Sequence, residues 1–97
     1  MSKNLEHAWL VEMNSDLVEF LDLHFSHIDD VEDEMENFLN REFLNKNYYL
    51  GFIHGFGSGR LKAKVQNYLK NHELVDKYWL GYHGPNAGAV TYVILKK

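Results

Sequence analysis

Two short motifs place residues that can move protons and hold an anion about thirty positions apart in the chain. The first is LDLH, in which Asp22 and His24 are two residues apart. The second is HGFGSG, in which His54 precedes three alternating glycines at 54–59. Histidine exchanges protons near neutral pH, and glycines let a ligand approach backbone N–H groups. These two motifs therefore define the candidate site.

The residues after the glycine loop predict a helix whose N-terminus faces an anion. Cations near a helix N-terminus oppose the helix dipole, at a cost of about 0.3–1 kcal/mol each where exposed. Their placement there is understandable if an anion, most often phosphate, completes the site. The G-x-G-x-G spacing is neither the dinucleotide fingerprint nor the P-loop, so no nucleotide cofactor is predicted. The alternatives are a tight turn without a ligand and a solvated helix face. The predicted phosphate-binding residues are Gly55, Gly57, Ser58, Gly59, Arg60, Lys62 and Lys64.

The hydrophobic pattern predicts an α/β fold with the element order β-α-β-α-β-β. Strands that alternate with helices should be parallel with right-handed crossovers, and the last two strands should form an antiparallel hairpin. We predict a first strand largely buried on both faces, and a capping box of Ser26 and Asp29 at the start of the first helix. In such sheets ligands bind beyond the carboxyl ends of the parallel strands, where His24 and His54 fall. The predicted strands are 17–24, 48–53, 76–82 and 89–95, and the predicted helices are 26–46 and 60–72.

The length and composition predict one domain of 97 residues with enough apolar side chains for a core. Residues 17–97 form the predicted domain, and residues 1–16 are predicted to be an N-terminal arm or an extra edge strand. The chain has no cysteine, which excludes disulfides and cysteine-based metal sites or nucleophiles. It shows no secretion signal and no apolar run long enough to cross a bilayer. A cytoplasmic location without membrane attachment is therefore expected.

The two motifs together resemble those of the Smr family, the small MutS-related domain. The tail agrees, because NHELV and NAGAVTYVIL are similar to the closing segments of the family, so the likeness covers residues 17–95. The resemblance implies a two-layer sandwich with a four-stranded mixed sheet and two helices, similar to the C-terminal domain of bacterial translation initiation factor 3. Two departures are Phe25, where the family usually has glycine, and Glu73, where it usually has proline.

The resemblance also implies binding of DNA or RNA, with endonuclease or nicking activity in several members. Members occur at the ends of mismatch-repair-like proteins, and some act on messenger RNA at stalled ribosomes. We therefore expect a role in DNA repair or in ribosome quality control, and the ribosome as a partner. The chain itself is expected to be a stand-alone member.

These expectations combine into a hypothesis of phosphodiester cleavage. The predicted catalytic residues are Asp22, His24 and His54, with the histidines as base and acid. Asp22 would orient His24 or help to hold a divalent cation, Mg²⁺ or Mn²⁺, which stays optional because no ligand spacing predicts a metal site. The alternatives are a non-catalytic module that binds nucleic acid or the ribosome, and a protein-interaction domain that uses the acidic segment 29–36. The net charge of −4 is acidic for a nuclease. The sequence leaves open the choice between DNA and RNA and the oligomeric state.

Overall fold

A computed structural model describes the backbone of residues 2–57 and 59–97 and the side chains of residues 8–57 and 59–97. Four strands form one sheet in the order β1-β2-β4-β3. From β1 onward the chain runs β-α-β-α-β-β, which confirms the predicted fold class. The strands are β1 Glu19–Asp22, β2 Tyr49–Ile53, β3 Val75–Leu80 and β4 Val90–Leu95, and the helices are α1 Ser2–Met13, α2 Val31–Leu44 and α3 Arg60–Lys70.

The pairing of the strands brings the ends of β1 and β2 together at one edge of the fold. β1 and β2 are parallel, and Asp22 lies opposite Ile53. β4 runs antiparallel to both β2 and β3. Because Ile53 also lies opposite Val90, the beginning of β4 adjoins the carboxyl end of β2. The residues that follow Asp22 and Ile53 are therefore neighbours, as the sequence predicted.

The two faces of the sheet bury different side chains. Alternate residues of a strand point to opposite faces, and Leu50 and Phe52 of β2 face α2 and α3. That side holds the larger core cluster, which includes Leu23, Met35, Leu39, Leu50, Phe52, Val65, Leu69, Val93 and Leu95. The opposite face carries a smaller cluster, which consists of Val11, Val18, Ala89, Val90 and Tyr92 with Tyr49, Ile53 and Trp79 packed against it. The two-layer sandwich is thus present, and α1 lies on the far side of the sheet.

The prediction that β1 is buried on both faces is wrong. Glu19, Phe20 and Asp22 are exposed, because β1 is an edge strand with a neighbour on one side only. The Phe20 ring instead covers Gly51 of β2, where an added Cβ would lie 2.6 Å from Phe20 Cδ1. A side chain at position 51 would displace this ring, which accounts for a glycine in the middle of a central strand.

The start of the chain is a helix rather than the additional edge strand that the sequence left open. Residues 2–13 form α1, which buries Ala8 and Val11, three positions apart as one helical face requires. The boundary between residues 1–16 and the domain 17–97 stays a prediction.

The predicted capping box at the start of the first long helix is also wrong. A short 3₁₀ helix, Ile28–Asp30, precedes α2, and its N-cap is His27, which accepts a hydrogen bond from the Asp29 N–H. The Ser26 hydroxyl donates instead to Glu34 Oε1 at 3.1 Å. None of the helices in the described part of the chain is long and apolar enough to cross a membrane.

Candidate functional site

A pocket of about 320 Å³ opens where β1 and β2 end and α3 begins. It gathers most of the predicted site residues from two stretches of the chain, one that follows β1 and one that runs from the end of β2 into α3. Asp22 and Lys64 are not among the residues that line it, and Ser58 lies outside the described residues. The lining residues are His24, Ser26, Ile28, His54, Gly55, Phe56, Gly57, Gly59, Arg60, Leu61 and Lys62.

Asp22 fixes the orientation and tautomer of His24. The His24 backbone N–H donates to Asp22 Oδ1 at 3.1 Å, and the His24 ring joins the same oxygen through Nδ1. A carboxylate only accepts hydrogen bonds, so Nδ1 carries the proton. This hydrogen bond from the ring lowers the pKa of Asp22 below its ordinary 3.8, so the carboxyl stays ionised. His24 is thereby held with Nε2 available to a ligand.

His54 is held differently, because its ring is almost completely buried. The residue is 4% exposed. Nδ1 lies 3.1 Å from the Gly55 carbonyl oxygen, and Nε2 lies 2.9 Å from Thr91 Oγ1. The carbonyl can only accept, so Nδ1 donates, and Nε2 must accept from the Thr91 hydroxyl. Burial lowers the pKa of His54 below its ordinary 6.5, and the nearby Lys62 lowers it further. His54 is therefore a neutral ring with both nitrogens engaged inside the protein.

Thr91 and Gln66 complete this buried network and were missed by the sequence reasoning. Thr91 is fully buried, and Gln66 Nε2 donates to its hydroxyl oxygen at 3.2 Å. The hydroxyl thus donates to His54 and accepts from Gln66, so this buried group is hydrogen-bonded both as donor and as acceptor. The only signal in the sequence was a threonine inside the otherwise apolar strand AVTYVIL. A buried hydroxyl needs a partner, but the sequence did not identify which one.

The glycine loop adopts the backbone geometry for which glycine was expected. Gly55 and Gly59 have positive φ values of 77° and 89°, a region that other residues rarely adopt. An added Cβ on Gly55 would lie 3.4 Å from His24 Cβ, so the loop passes directly beside the first histidine. Gly59 is the N-cap of α3 and supplies no side-chain hydrogen bond to the helix. At Gly57 an added Cβ would meet nothing within 4 Å, so the loop is open on its outer side.

The three predicted cations begin α3 but do not share one surface. Arg60 and Lys62 line the pocket. Lys64 lines a neighbouring groove with Arg60, and Asp29 and Glu32 lie on its other wall. Residues four apart share one side of a helix and residues two apart do not, so Lys64 lies beside Arg60 while Lys62 lies elsewhere on α3. Arg60 thus borders both surfaces, while the acidic start of α2 faces the second one.

The described side chains around the pocket do not form a ligand set for a divalent cation. In the part of the chain that the structure describes, no group of three histidine, aspartate or glutamate side chains is close enough together to hold a metal ion. Asp22 already accepts two hydrogen bonds from His24. The residues present therefore do not fit a protein-held metal centre.

Comparison with known proteins gives consistent relatives in both sequence and structure. Residues 21–96 match the Smr domain family. The chain is 36% identical over 76 residues to the endonuclease MutS2 of Fusobacterium nucleatum subsp. nucleatum, which covers 78% of this chain and 10% of that protein. The chain thus spans about a tenth of the length of the curated relatives it matches.

Solved structures with the same fold include two Smr proteins. The Smr domain of Thermus thermophilus MutS2 superposes with a TM-score of 0.72 at 22% identity, over 81% of this chain and 99% of that one. YdaL, a stand-alone small MutS-related protein from Escherichia coli, superposes with a TM-score of 0.69 at 21% identity, over 80% of this chain and 64% of that one. At these identities the structures establish the fold, and the sequence match establishes the relationship. The chain belongs to the Smr domain family.

Proposed function

We propose that this protein binds the backbone of DNA or RNA in the pocket and cleaves a phosphodiester bond there as an endonuclease. The observation that carries the proposal is the convergence of the Asp22–His24 pair and the open start of α3 on one pocket. The relatives named endonuclease MutS2 support the same reaction. Cytoplasmic location, a ribosomal partner, and roles in DNA repair or ribosome quality control are further proposals that rest on family membership.

The glycine loop and the start of α3 would hold the phosphate. The first backbone N–H groups of a helix have no partner within the helix, and the helix dipole favours an anion at this end. Gly59 leaves the start of α3 without a side-chain cap. Arg60 and Lys62 line the same pocket and add positive charge. Fixed donors and cations of this kind stabilise the extra negative charge that develops when a phosphodiester is attacked.

His24 would transfer the proton. With Nδ1–H bound to Asp22, the neutral ring presents the lone pair of Nε2, which can take a proton from an attacking water molecule. The resulting imidazolium is stabilised by the ionised Asp22, and it can return the proton to the leaving oxygen. Asp22 would act through His24, so we assign it a positioning role. No step of this mechanism requires a metal ion.

His54 would position the glycine loop rather than exchange protons. Both of its ring nitrogens hydrogen-bond within the protein, and one of these bonds ties it to the Gly55 carbonyl. The ring therefore links the loop to Thr91 of β4, which fixes the loop beside His24. This assignment differs from the acid or base role predicted for His54 from the sequence, and a variant can separate the two roles.

A non-catalytic nucleic-acid or ribosome-binding module is the second candidate. One observation favours this candidate. Two histidines line the pocket, but both ring nitrogens of neutral His54 bond within the protein. Of the two, His24 alone therefore offers a ring nitrogen for proton transfer. Phosphate contacts give affinity without any catalytic group. Such a module would use the same loop, helix start and cations.

The two candidates are separated by incubating purified protein with labelled DNA and RNA, with and without Mg²⁺ or Mn²⁺. The endonuclease proposal expects cleavage products that His24→Ala abolishes while binding is kept. Salt-sensitive binding without products would favour the binding module.

Replacing Arg60 or Lys62 with Gln tests the contribution of the cations. Each substitution should weaken binding, and it should lower the slope of log K against log[salt] by about one for each phosphate that is no longer neutralised. Lys77→Gln on β3 is the control for loss of charge elsewhere.

A further inference from the structure

Two phenylalanine side chains stand exposed next to the pocket. Phe25, which follows His24 directly, is 90% exposed, and Phe56, in the glycine loop, is 68% exposed. Neither belongs to the hydrophobic clusters of the described residues. Burying a phenyl ring stabilises a fold, and these two rings forgo most of that contribution. Phe56 lies in the second motif and Phe25 directly after the first, so the position of these two rings needs an explanation.

Both rings are supported on one side and open on the other. The centroid of the Phe25 ring lies 3.9 Å from that of the His24 ring, at an interplanar angle of 39°. Phe56 lines the pocket, and its ring lies beside Gly88, where an added Cβ would be 3.6 Å from Phe56 Cε1. The Phe56 ring thus lines the pocket, the Phe25 ring lies against the ring of His24 at the pocket, and most of each side chain faces solvent. Flat apolar surfaces thus flank the place proposed for the phosphate.

We propose that Phe25 and Phe56 stack on unpaired bases that flank the bound phosphodiester, so that the substrate class is single-stranded or locally unpaired nucleic acid. This inference rests on the proposed function. Bases inside a duplex are already covered by their stacked neighbours, so an aromatic side chain finds a free base face in an unpaired strand. Every base has such a face, which makes the preference tolerant of sequence.

The charge of the protein agrees with a contribution from stacking. Affinity for nucleic acid through phosphate contacts alone requires many cations, and this chain has a net charge of −4. Two cations line the pocket, and the acidic residues Asp29 and Glu32 border the groove beside it. A binding surface with few cations gains affinity from aromatic contacts that do not depend on charge.

Equilibrium binding of the full chain to matched oligonucleotides tests this inference. Three DNA ligands are compared: a single strand, its duplex, and a strand of equal length without bases. The single strand and the duplex are also measured as RNA. We expect about tenfold tighter binding to the single strand than to the duplex or to the strand without bases. Phe25→Ala and Phe56→Ala should each weaken binding to the single strand about tenfold and leave binding to the strand without bases unchanged.

Two controls keep the result specific. Phe25→Tyr and Phe56→Tyr retain a ring and should retain the preference for the single strand. Leu44→Ala removes another exposed apolar side chain, 78% exposed on α2, and should change no affinity. Because both phenylalanines are exposed, their alanine variants should fold, and thermal unfolding checks this directly.

The outcomes separate this inference from the proposed function. Binding of nucleic acid with equal affinity for single strand and duplex, or with unchanged affinity in both alanine variants, would overturn the stacking proposal alone. Absence of binding to every DNA and RNA ligand would overturn the proposed function and this inference with it. Tighter binding to the single strand than to its duplex, whether as DNA or as RNA, supports stacking, and the tighter-bound of the two single strands identifies the source of the ligand.

Discussion

Asp22 and His24 are joined twice, because both the backbone N–H and the ring Nδ1–H of His24 donate to Asp22 Oδ1. The two residues stand two positions apart at the end of an edge strand, and both side chains remain partly exposed, at 51% and 37%. The pair is therefore local and open to a ligand. It fixes which nitrogen of His24 faces the pocket, and this determines what the pocket can do.

Asp22→Asn should therefore lower the cleavage rate much more than it lowers affinity. An asparagine amide can present its NH₂ group to Nδ1, which favours the tautomer protonated on Nε2 and removes the base. Loss of the orienting carboxylate costs about four orders of magnitude in rate in the best-known triad, and we expect a loss of at least about a hundredfold here. Single-turnover cleavage and equilibrium binding, measured on the same oligonucleotide, check this. Equal losses in both measurements would contradict a positioning role for Asp22.

Thr91→Val should destabilise the fold although valine has nearly the same shape as threonine. The substitution leaves His54 Nε2 and Gln66 Nε2 without the hydroxyl to which both now bond. A buried polar group without a partner costs about 1–3 kcal/mol. Urea unfolding should show a loss of about this size. Thr91→Ser, which keeps the hydroxyl, should lose less, and a valine variant as stable as the wild type would show that the hydroxyl bonds contribute nothing.

Burial of neutral His54 should make the protein less stable as the solution becomes mildly acidic. The pKa of His54 is lowered from its ordinary 6.5 in the folded state, chiefly by burial. The stability that depends on neutral His54 is therefore fully present above pH 6.5. It is lost as the pH falls through the lowered pKa that His54 has in the folded state. Urea unfolding from about pH 8 to about pH 5 should show this slope, and His54→Gln should reduce it. An unchanged slope in His54→Gln would contradict the prediction.

Glu36 should remain ionised far below the pH at which glutamate usually takes up a proton. The Tyr68 hydroxyl, Asn40 and His72 all donate hydrogen bonds to its carboxylate, and the Tyr68 bond is the largest reason that the pKa of Glu36 falls from 4.5 to about 2. The resulting stability is present above pH 4.5 and is lost as the pH falls towards 2. An NMR titration of the Glu36 carboxyl carbon measures the pKa. Tyr68→Phe should raise it towards 4.5, whereas an unaltered value would show that Tyr68 is not the cause.

Glu12 should be needed to hold α1 against the sheet. Its side chain is fully buried, and it accepts hydrogen bonds from Trp79 Nε1 at 2.8 Å and from the backbone N–H groups of Tyr82 and His83 at 2.8 and 2.9 Å. Glu12→Gln turns one acceptor into a donor that faces another donor, at a cost of about 1–3 kcal/mol. Thermal unfolding should report this loss, and Glu73→Gln, on the surface, should not show it. Equal melting temperatures for the two variants would contradict a docking role for Glu12.

The sequence predicted those features that depend on short-range patterns. The two parallel strands, predicted at 17–24 and 48–53, the glycine turn, and the helix that begins at Arg60 follow from local periodicity and turn chemistry, although β1 is shorter and ends at Asp22. Convergence of His24 and His54 followed from one further rule, that parallel strands end at the same edge of a sheet. The match of LDLH and HGFGSG to a known family then fixed the fold.

The features that the sequence did not predict depend on contacts distant in the chain. The partner of His54 is Thr91, 37 residues away, and the register of β2 against β4 decides that pairing. The partner of Glu12 is Trp79, 67 residues away, so the docking of α1 through a buried carboxylate had no local signal. The apolar residues of AWLVEM fit a strand or a helix equally well, so this local pattern did not predict the helix α1.

Amide NMR during titration with a short single-stranded oligonucleotide tests the central claim most directly. If a phosphate docks at the start of α3, the backbone N–H signals of Gly57, Gly59 and Arg60 and the ring signals of His24 should shift most. Those of Val11 and Tyr92, in the cluster beneath α1, should stay in place. Shifts confined to the α1 side of the sheet, with the glycine loop unaffected at saturating ligand, would contradict a phosphate site in this pocket.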